Sequence, residues 1–499
     1  MKKIIFSFGL MMSLATLQAQ KVVASLPVNY SSDFFSDKES IAVSNNKTKE
    51  LVVLIEDKDK TILSLLDENF KQIDTVIGEK LDRKFKTFIG HSIIGDTYYI
   101  FFKNNDGKKF GYIEIDFKTG IASQIILDFK LEKEKYVEAI SHNNTFYIMT
   151  SEKKTGMVNF FEFTKSKQFL KHTVDFNSVG YVKTNSNGSL SVGPYELLNS
   201  NSLGLLTKID LNSPKAVEST SEKVKLYQVK NELLFTFDNK VDKTSVIIVN
   251  LNDFSHKDIV IDKPKLDIRP EFSSHNSLYN NGVFYQAVCS SNQLKLTARD
   301  FTTQELLKEL CITDTNDTIS FKNGPIIQEN SSIWYKDNKR IRELEKSSKF
   351  LRKVSNGELG IVAFLNQNNI RQITIGGYVK GGGGGVGMMP MGGIPMGGIP
   401  LGGGMLTTTF NPFMGAYNSY SYTKSTRIEC LFDKDFNHVE GEVENNIFDK
   451  IHEQEKRIEK EKSLATGLKL KNVYRHNNKY YLSYLNNLDK NYNIIEIEN

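Results

Sequence analysis

Residues 95–117 read GDTYYIFFKNNDGKKFGYIEIDF, and this stretch decides the fold. Gly95-Asp96 is a tight polar turn, and from Thr97 onward the chain is apolar and aromatic, with side chains that suit a pleated, half-buried surface. Asn104-Asn105-Asp106-Gly107 is a hairpin turn leading into a second apolar strand. That strand ends at Asp116-Phe117, where a carboxylate can accept hydrogen bonds from the backbone just ahead of it and so close the next turn.

Both halves of the stretch recur. The turn followed by an aromatic strand returns at 142–148, 230–235, 280–285, 330–335 and 476–481. The strand ending in an acidic or amide residue, then an aromatic or apolar one, returns at 66–70, 161–163, 209–211, 251–254, 299–301 and 432–436. Six acidic marks, at 67, 116, 162, 210, 253 and 300, are separated by 49, 46, 48, 43 and 47 residues. A β-unit of about 47 residues with several short strands predicts an all-β chain: a β-propeller of about seven or eight four-stranded blades. A single twisted sheet cannot bury both faces, whereas radial stacking covers each face with a neighbour. The last β segment, 468–498, is expected to share a blade with strands within 21–44 and so fasten the ring. A sandwich, or two smaller β domains, is the alternative.

Composition fits this reading. With 39% hydrophobic residues, 32 Phe and 21 Tyr in 499 residues, the chain has ample material for a core, which excludes wholesale disorder. Its 64 basic and 59 acidic residues nearly balance, so nothing marks a nucleic-acid partner. Three cysteines, Cys289, Cys311 and Cys430, cannot make a disulfide framework. Cys289 and Cys311 read as lying on neighbouring strands; a pair in an oxidising compartment and buried free thiols are the two readings.

Residues 1–19 carry Lys2 and Lys3, an apolar run from 4 to 17, and Ala19 ahead of Gln20, the pattern of a secretory signal. The apolar run is shorter than the ~20 residues needed to span a bilayer. Cleavage after Ala19 would leave 20–499 as the propeller, exported to the periplasm or the outer membrane. With its repeat, its Lys/Asn/Ile/Phe-rich text and a signal ending Gln18-Ala19-Gln20, the chain resembles the exported β-propeller proteins common in Bacteroidota.

The period breaks after about residue 350. Residues 381–423 contain no charged side chain, and 381–405 hold thirteen glycines in twenty-five positions, including the tandem Met-Gly-Gly-Ile-Pro at 391–395 and 396–400. The flanks, 370–379 and 426–432, read as strands, so the segment is expected to be a loop inserted in a blade hairpin. Interior Gly and Pro deny it a helix. A flexible linker is the bland reading. Linkers, however, avoid exposed apolar side chains, which invite association. Met388, Met389, Met391, Met396 and Met405 offer adaptable thioethers of the kind found at permissive binding surfaces. Ile394, Ile399, Leu401 and Leu406 add branched side chains, and Phe410 and Phe413 follow. These eleven are the candidate partner-binding residues, with membrane contact only indirect. The second break, 446–464, has Ile447, Ile451 and Ile458 on one stripe and Glu and Lys elsewhere; it predicts a helical insertion, more as a brace than a docking element.

Signatures of chemistry are missing. No Gly-x-Ser-x-Gly occurs, and His452-Glu453 begins a zinc-protease pattern that fails at Lys456. The glycine run at 381–387 lacks the Lys-Ser/Thr ending of a phosphate loop. No catalytic residue, cofactor site or metal ligand is therefore expected. The expectation is a non-catalytic scaffold or accessory subunit of an envelope protein complex, its apolar loop touching a protein partner or an outer-membrane translocon. In this it is similar to the plug subunit of the type IX secretion system. The alternative is a glycan- or peptide-binding propeller with hydrolase activity.

Overall fold

The computed structural model describes residues 21–498 except 29–39, 58, 83, 86, 186–187, 200–205, 268–272, 333–334, 367, 380–411, 422–423, 462–467 and 487. The signal expected at 1–19 lies outside these. Among the described residues there are eight sheets: seven of four or five strands and one two-stranded hairpin, Tyr181–Asn185 with Gly188–Val192.

Sheet I is Ser40–Ser44, Leu51–Glu56, Lys60–Leu66 and Gln72–Glu79. Sheet II is Thr87–Ile94, Thr97–Lys103, Phe110–Asp116 and Ile121–Ile126, and sheet III is Glu134–His142, Thr145–Glu152, Met157–Phe163 and Phe169–Asp175. Sheet IV sets an extra strand, Leu206–Ile209, beside Val224–Val229, Glu232–Phe237, Lys243–Asn250 and His256–Asp262. Sheet V is Ser274–Asn280, Val283–Cys289, Gln293–Asp300 and Leu306–Thr313. Sheet VI runs from Glu358–Leu365 through Arg371–Tyr378, Ser425–Phe432 and Ile326–Ser332 to Tyr335–Leu344. Sheet VII joins Lys469–His476, Lys479–Asn486 and Asn491–Ile497 to Lys21–Pro27. Five helices accompany them: α1 (Pro194–Asn199), α2 (Val217–Thr220), α3 (Ser347–Ser355), α4 (Pro412–Ser421) and α5 (Ile447–Glu461).

Turn chemistry drives the hairpins. Asn143-Asn144, Asn281-Gly282 and Asn477-Asn478 each place two successive residues at positive φ, the backbone of a tight turn whose twist matches its strands. On the outer turn Asp67 accepts the backbone N–H groups of Asn69 and Lys71 at 2.9 and 2.8 Å, and Asp300 does the same for Thr302 and Thr303.

Each sheet packs on the next. Tyr98 of sheet II donates to Glu50 beside sheet I at 2.8 Å. Phe101 and Phe146 stack between sheets II and III at 3.9 Å, and His172 and Phe254 between III and IV at 3.8 Å. The Tyr279 N–H reaches the Tyr227 hydroxyl between IV and V, and the Leu359 N–H reaches the Ser274 hydroxyl between V and VI. Ser40 of sheet I donates to the Leu470 carbonyl of sheet VII at 2.9 Å. Between VI and VII the wedge is filled by α4 and α5. Ile447, Phe448, Ile451 and Ile458 are buried against sheet VII, and Asn446 caps the helix by accepting from the Phe448 N–H while Asp449 accepts from the Asn446 N–H. The succession returns to its start, and the chain is a β-propeller.

Three expectations need correction. Lys21–Pro27 does close onto Asn491–Ile497, with Leu26 opposite Tyr492, but Ser40–Ser44 belongs to sheet I, not to the closing sheet. Cys289 and Cys311 are not on neighbouring strands: Gln293–Asp300 lies between them, beyond the reach of a disulfide, and all three cysteines are free. The uncharged segment 381–423, expected to be a loop without a helix, carries one in its described part: α4, Pro412–Ser421.

Candidate functional site

Leu206–Ile209 pairs parallel with Val224–Val229, Leu206 opposite Val224 and Ile209 opposite Tyr227. Neighbouring parallel strands require a crossover, because the chain must return to the end from which it started. Here the return is short. Asp210 turns the chain by accepting the Asn212 N–H at 2.9 Å, and residues 213–222, including α2, are buried without exception. The crossover runs inside the ring. It presses on Gly360 of sheet VI so closely that a Cβ there would lie 2.4 Å from the Val217 carbonyl oxygen. On the other side Asn276 of sheet V donates to the carbonyls of Ser221 and Leu359, both at 2.7 Å. Tyr480 of sheet VII donates to the Asn212 carbonyl at 2.9 Å.

So polar a stretch is costly to bury unless its groups find partners, and most do, although the Ser213 hydroxyl has none among the described residues. Ser219 and Ser221 donate to the carbonyls of Ala216 and Glu218. The Lys215 ammonium donates to the Ser213 carbonyl at 3.1 Å, and burial pushes its pKa down to about 8. Where the crossover ends, a charged cluster ties sheet IV to sheet V. Fully buried Asp238 lies 3.0 Å from the Lys225 ammonium and 3.2 Å from that of Lys263. Burial alone would raise the Asp238 carboxyl. The two lysines and the Ser277 and Thr244 hydroxyls outweigh it, and the group is held far below the usual carboxylate range.

On the other side of the axis the crossover leaves a cavity of about 460 Å³. Inner strands of sheets I, II, III, IV and VII line it together with Phe413; those of sheets V and VI do not, because the crossover covers them. Its apolar wall includes Ile89, Ile140, Ile209 and Leu226, and its polar groups include Lys208, Asp210, Lys230 and Arg475. Burial pushes the imidazole of His91, which also lines it, down to about 4. Among the described residues no group of three or more His, Cys, Asp or Glu is placed to hold a metal ion, and no helix is long and apolar enough to cross a membrane.

Of the residues singled out from sequence, Met388, Met389, Met391, Ile394, Met396, Ile399, Leu401, Met405, Leu406 and Phe410 lie outside the described residues. Phe413 is described, and its assignment to a partner surface is corrected. It is 4% exposed in α4, 5.1 Å from Phe448 and 5.4 Å from Tyr480 between ring centroids, so it serves the chain's own packing. The crossover escaped sequence reasoning because Asp210 fell on the period. A signal was present: the first phrase steps from 95 to 142, then by 88 residues to 230, skipping one unit where the crossover lies.

No family model matches this chain, and no curated protein matches it. Among solved structures it is similar to the WD40 domain of SCAP from fission yeast, at 10% identity over 89% of this chain and 81% of that one, with a TM-score of 0.25. It is also similar to oligopeptidase B from Trypanosoma brucei (11%, 68% and 39%, 0.28) and to TolB from Acinetobacter baumannii (10%, 55% and 54%, 0.24). At such scores the likenesses carry no argument about activity; the propeller stands on the ring of sheet contacts.

Proposed function

We propose that this chain is an exported, non-catalytic propeller of seven blades, sheets I to VII. It serves as an accessory subunit of an outer-membrane or periplasmic protein complex, and its uncharged 381–423 segment contacts a protein partner or occupies a translocon mouth. The observation that carries this reading is the ladder of sheet VI. Arg371–Tyr378 and Ser425–Phe432 pair without interruption from Arg371 opposite Phe432 to Tyr378 opposite Ser425, so the sheet closes without the residues between. An insertion that the sheet does not need, rich in glycine and methionine yet free of charge, is chemistry suited to another surface. α4 anchors its downstream end between sheets VI and VII.

The test follows from that anchoring. Deleting 381–411 spares α4 and its buried Phe413 and Tyr417, whereas a deletion through 422 would also strip the core. The expected outcome is an unchanged unfolding midpoint with loss of partners co-purifying from solubilised envelope; an unchanged set of partners would defeat the proposal. A ligand-binding propeller is the second reading, favoured by the axial cavity.

A further inference from the structure

We infer that the axial cavity is a binding site for a small amphiphilic carboxylate, a ligand with a short aliphatic body and one anionic end. The inference rests on the cavity alone and not on the 381–423 segment. Three observations support it.

The first is size. A propeller axis is a passage unless something fills it, and here residues 213–222 occupy the side toward sheets V and VI. What remains, about 460 Å³, lies within the ~300–1,000 Å³ typical of small-molecule sites. The second is the division of the lining. Ile89, Ile140, Ile209, Leu226, Leu233 and Phe413 contribute aliphatic and aromatic surface, while the charged groups come from the ends of inner strands. The third is charge. Lys208, Lys230 and Arg475 face only one lining carboxylate, Asp210, which is turned onto the Asn212 N–H. Lys208 is engaged, donating to the Ala139 carbonyl at 2.7 Å with Glu138 at 3.3 Å. Counting Glu138, three cations meet two carboxylates, leaving one positive charge in excess. Lys230 is exposed and has no ion pair among the described residues, and the buried Nε of Arg475 has no acceptor among them. A carboxylate would supply the missing charge and accept from both cations while its aliphatic body lies against the isoleucines.

Such a group could belong to a free aliphatic acid or to the C-terminus of a peptide, and the experiment separates them. Calorimetric titration of the signal-free chain, 20–499, uses octanoate and N-acetyl-leucine, with octanol and N-acetyl-leucinamide as neutral counterparts. We expect at least one carboxylate to bind at least tenfold more tightly than its neutral partner. Lys230→Met and Arg475→Gln should each weaken that carboxylate about tenfold and leave the neutral compound unchanged. Binding of octanoate alone identifies a free acid as the source, and of N-acetyl-leucine alone a peptide terminus. No binding, equal binding of charged and neutral partners, or indifference to both substitutions would overturn the inference. Unfolding midpoints of the two variants, expected to match the parent, separate loss of contact from loss of fold.

Discussion

Gly360→Ala puts the central claim about the channel under strain. The added Cβ would lie 2.4 Å from the Val217 carbonyl oxygen, 2.9 Å from Val217 Cγ1 and 3.0 Å from Thr220 Oγ1, where ordinary contact begins at 3.4 Å. Val217 must therefore retreat by about 1 Å, out of its buried contact with Val362 and Tyr378. Overpacking of this kind costs about 1–3 kcal/mol. Gly→Ala also stiffens the unfolded chain, which stabilises by about 0.4–1 kcal/mol where the backbone accepts the change. Gly324 isolates that term, because a Cβ there meets nothing within 4 Å. Urea unfolding followed by tryptophan and tyrosine emission should show Gly360→Ala less stable than the parent, Gly360→Val less stable still, and Gly324→Ala unchanged or slightly improved. If Gly360→Ala is as stable as Gly324→Ala, the crossover does not pack against sheet VI.

Further outcomes follow from the same geometry. Asp238→Asn leaves the buried Lys225 and Lys263 ammonium groups without their carboxylate, and should cost about 3–5 kcal/mol at neutral pH. Because the Asp238 carboxyl is held below its unfolded value, its stabilisation is complete above pH ~4 and is lost as pH falls further; an Asn variant of parental stability would refute the pairing. Burial pushes His476 down to about 4, so between pH ~6.5 and ~4 the unfolded chain binds the proton more readily and stability falls as pH drops. His476→Gln should flatten that slope in pH-dependent unfolding, and an unaltered slope would count against it. Thiol titration of the native protein should modify Cys311 alone, with Cys289 and Cys430 reacting only after denaturation; a disulfide in non-reducing mass analysis would contradict this. Phe413→Ala should destabilise by about 3–5 kcal/mol, whereas deletion of 381–411 should leave the unfolding midpoint in place.

Much of the ring could be read in advance because its signals are local. Asp67 and Asp300 close outer turns with their own backbone, and Asn143-Asn144 and Asn477-Asn478 make hairpin turns wherever the chain places them. Such chemistry acts over five residues or fewer and repeats with the unit. The candidate site was not legible in the same way. Lys208, Lys230 and Arg475 are ordinary strand-end cations in the text, and only ring closure gathers them around one cavity.

The repeating β-unit, the turn types and the amphipathic stripe of α5 are legible along the chain alone, each set by side chains within one or two turns of one another. The tertiary structure decided which unit was not a blade. Asp210 makes the same turn as its counterparts, but the strand before it pairs parallel, so the chain had to come back through the ring. Parallel pairing is a relation between strands fourteen residues apart, invisible to any local pattern. It also settled the fate of Cys289 and Cys311, held apart by an intervening strand, and of Phe413, which finds Phe448 and Tyr480 on elements further along the chain.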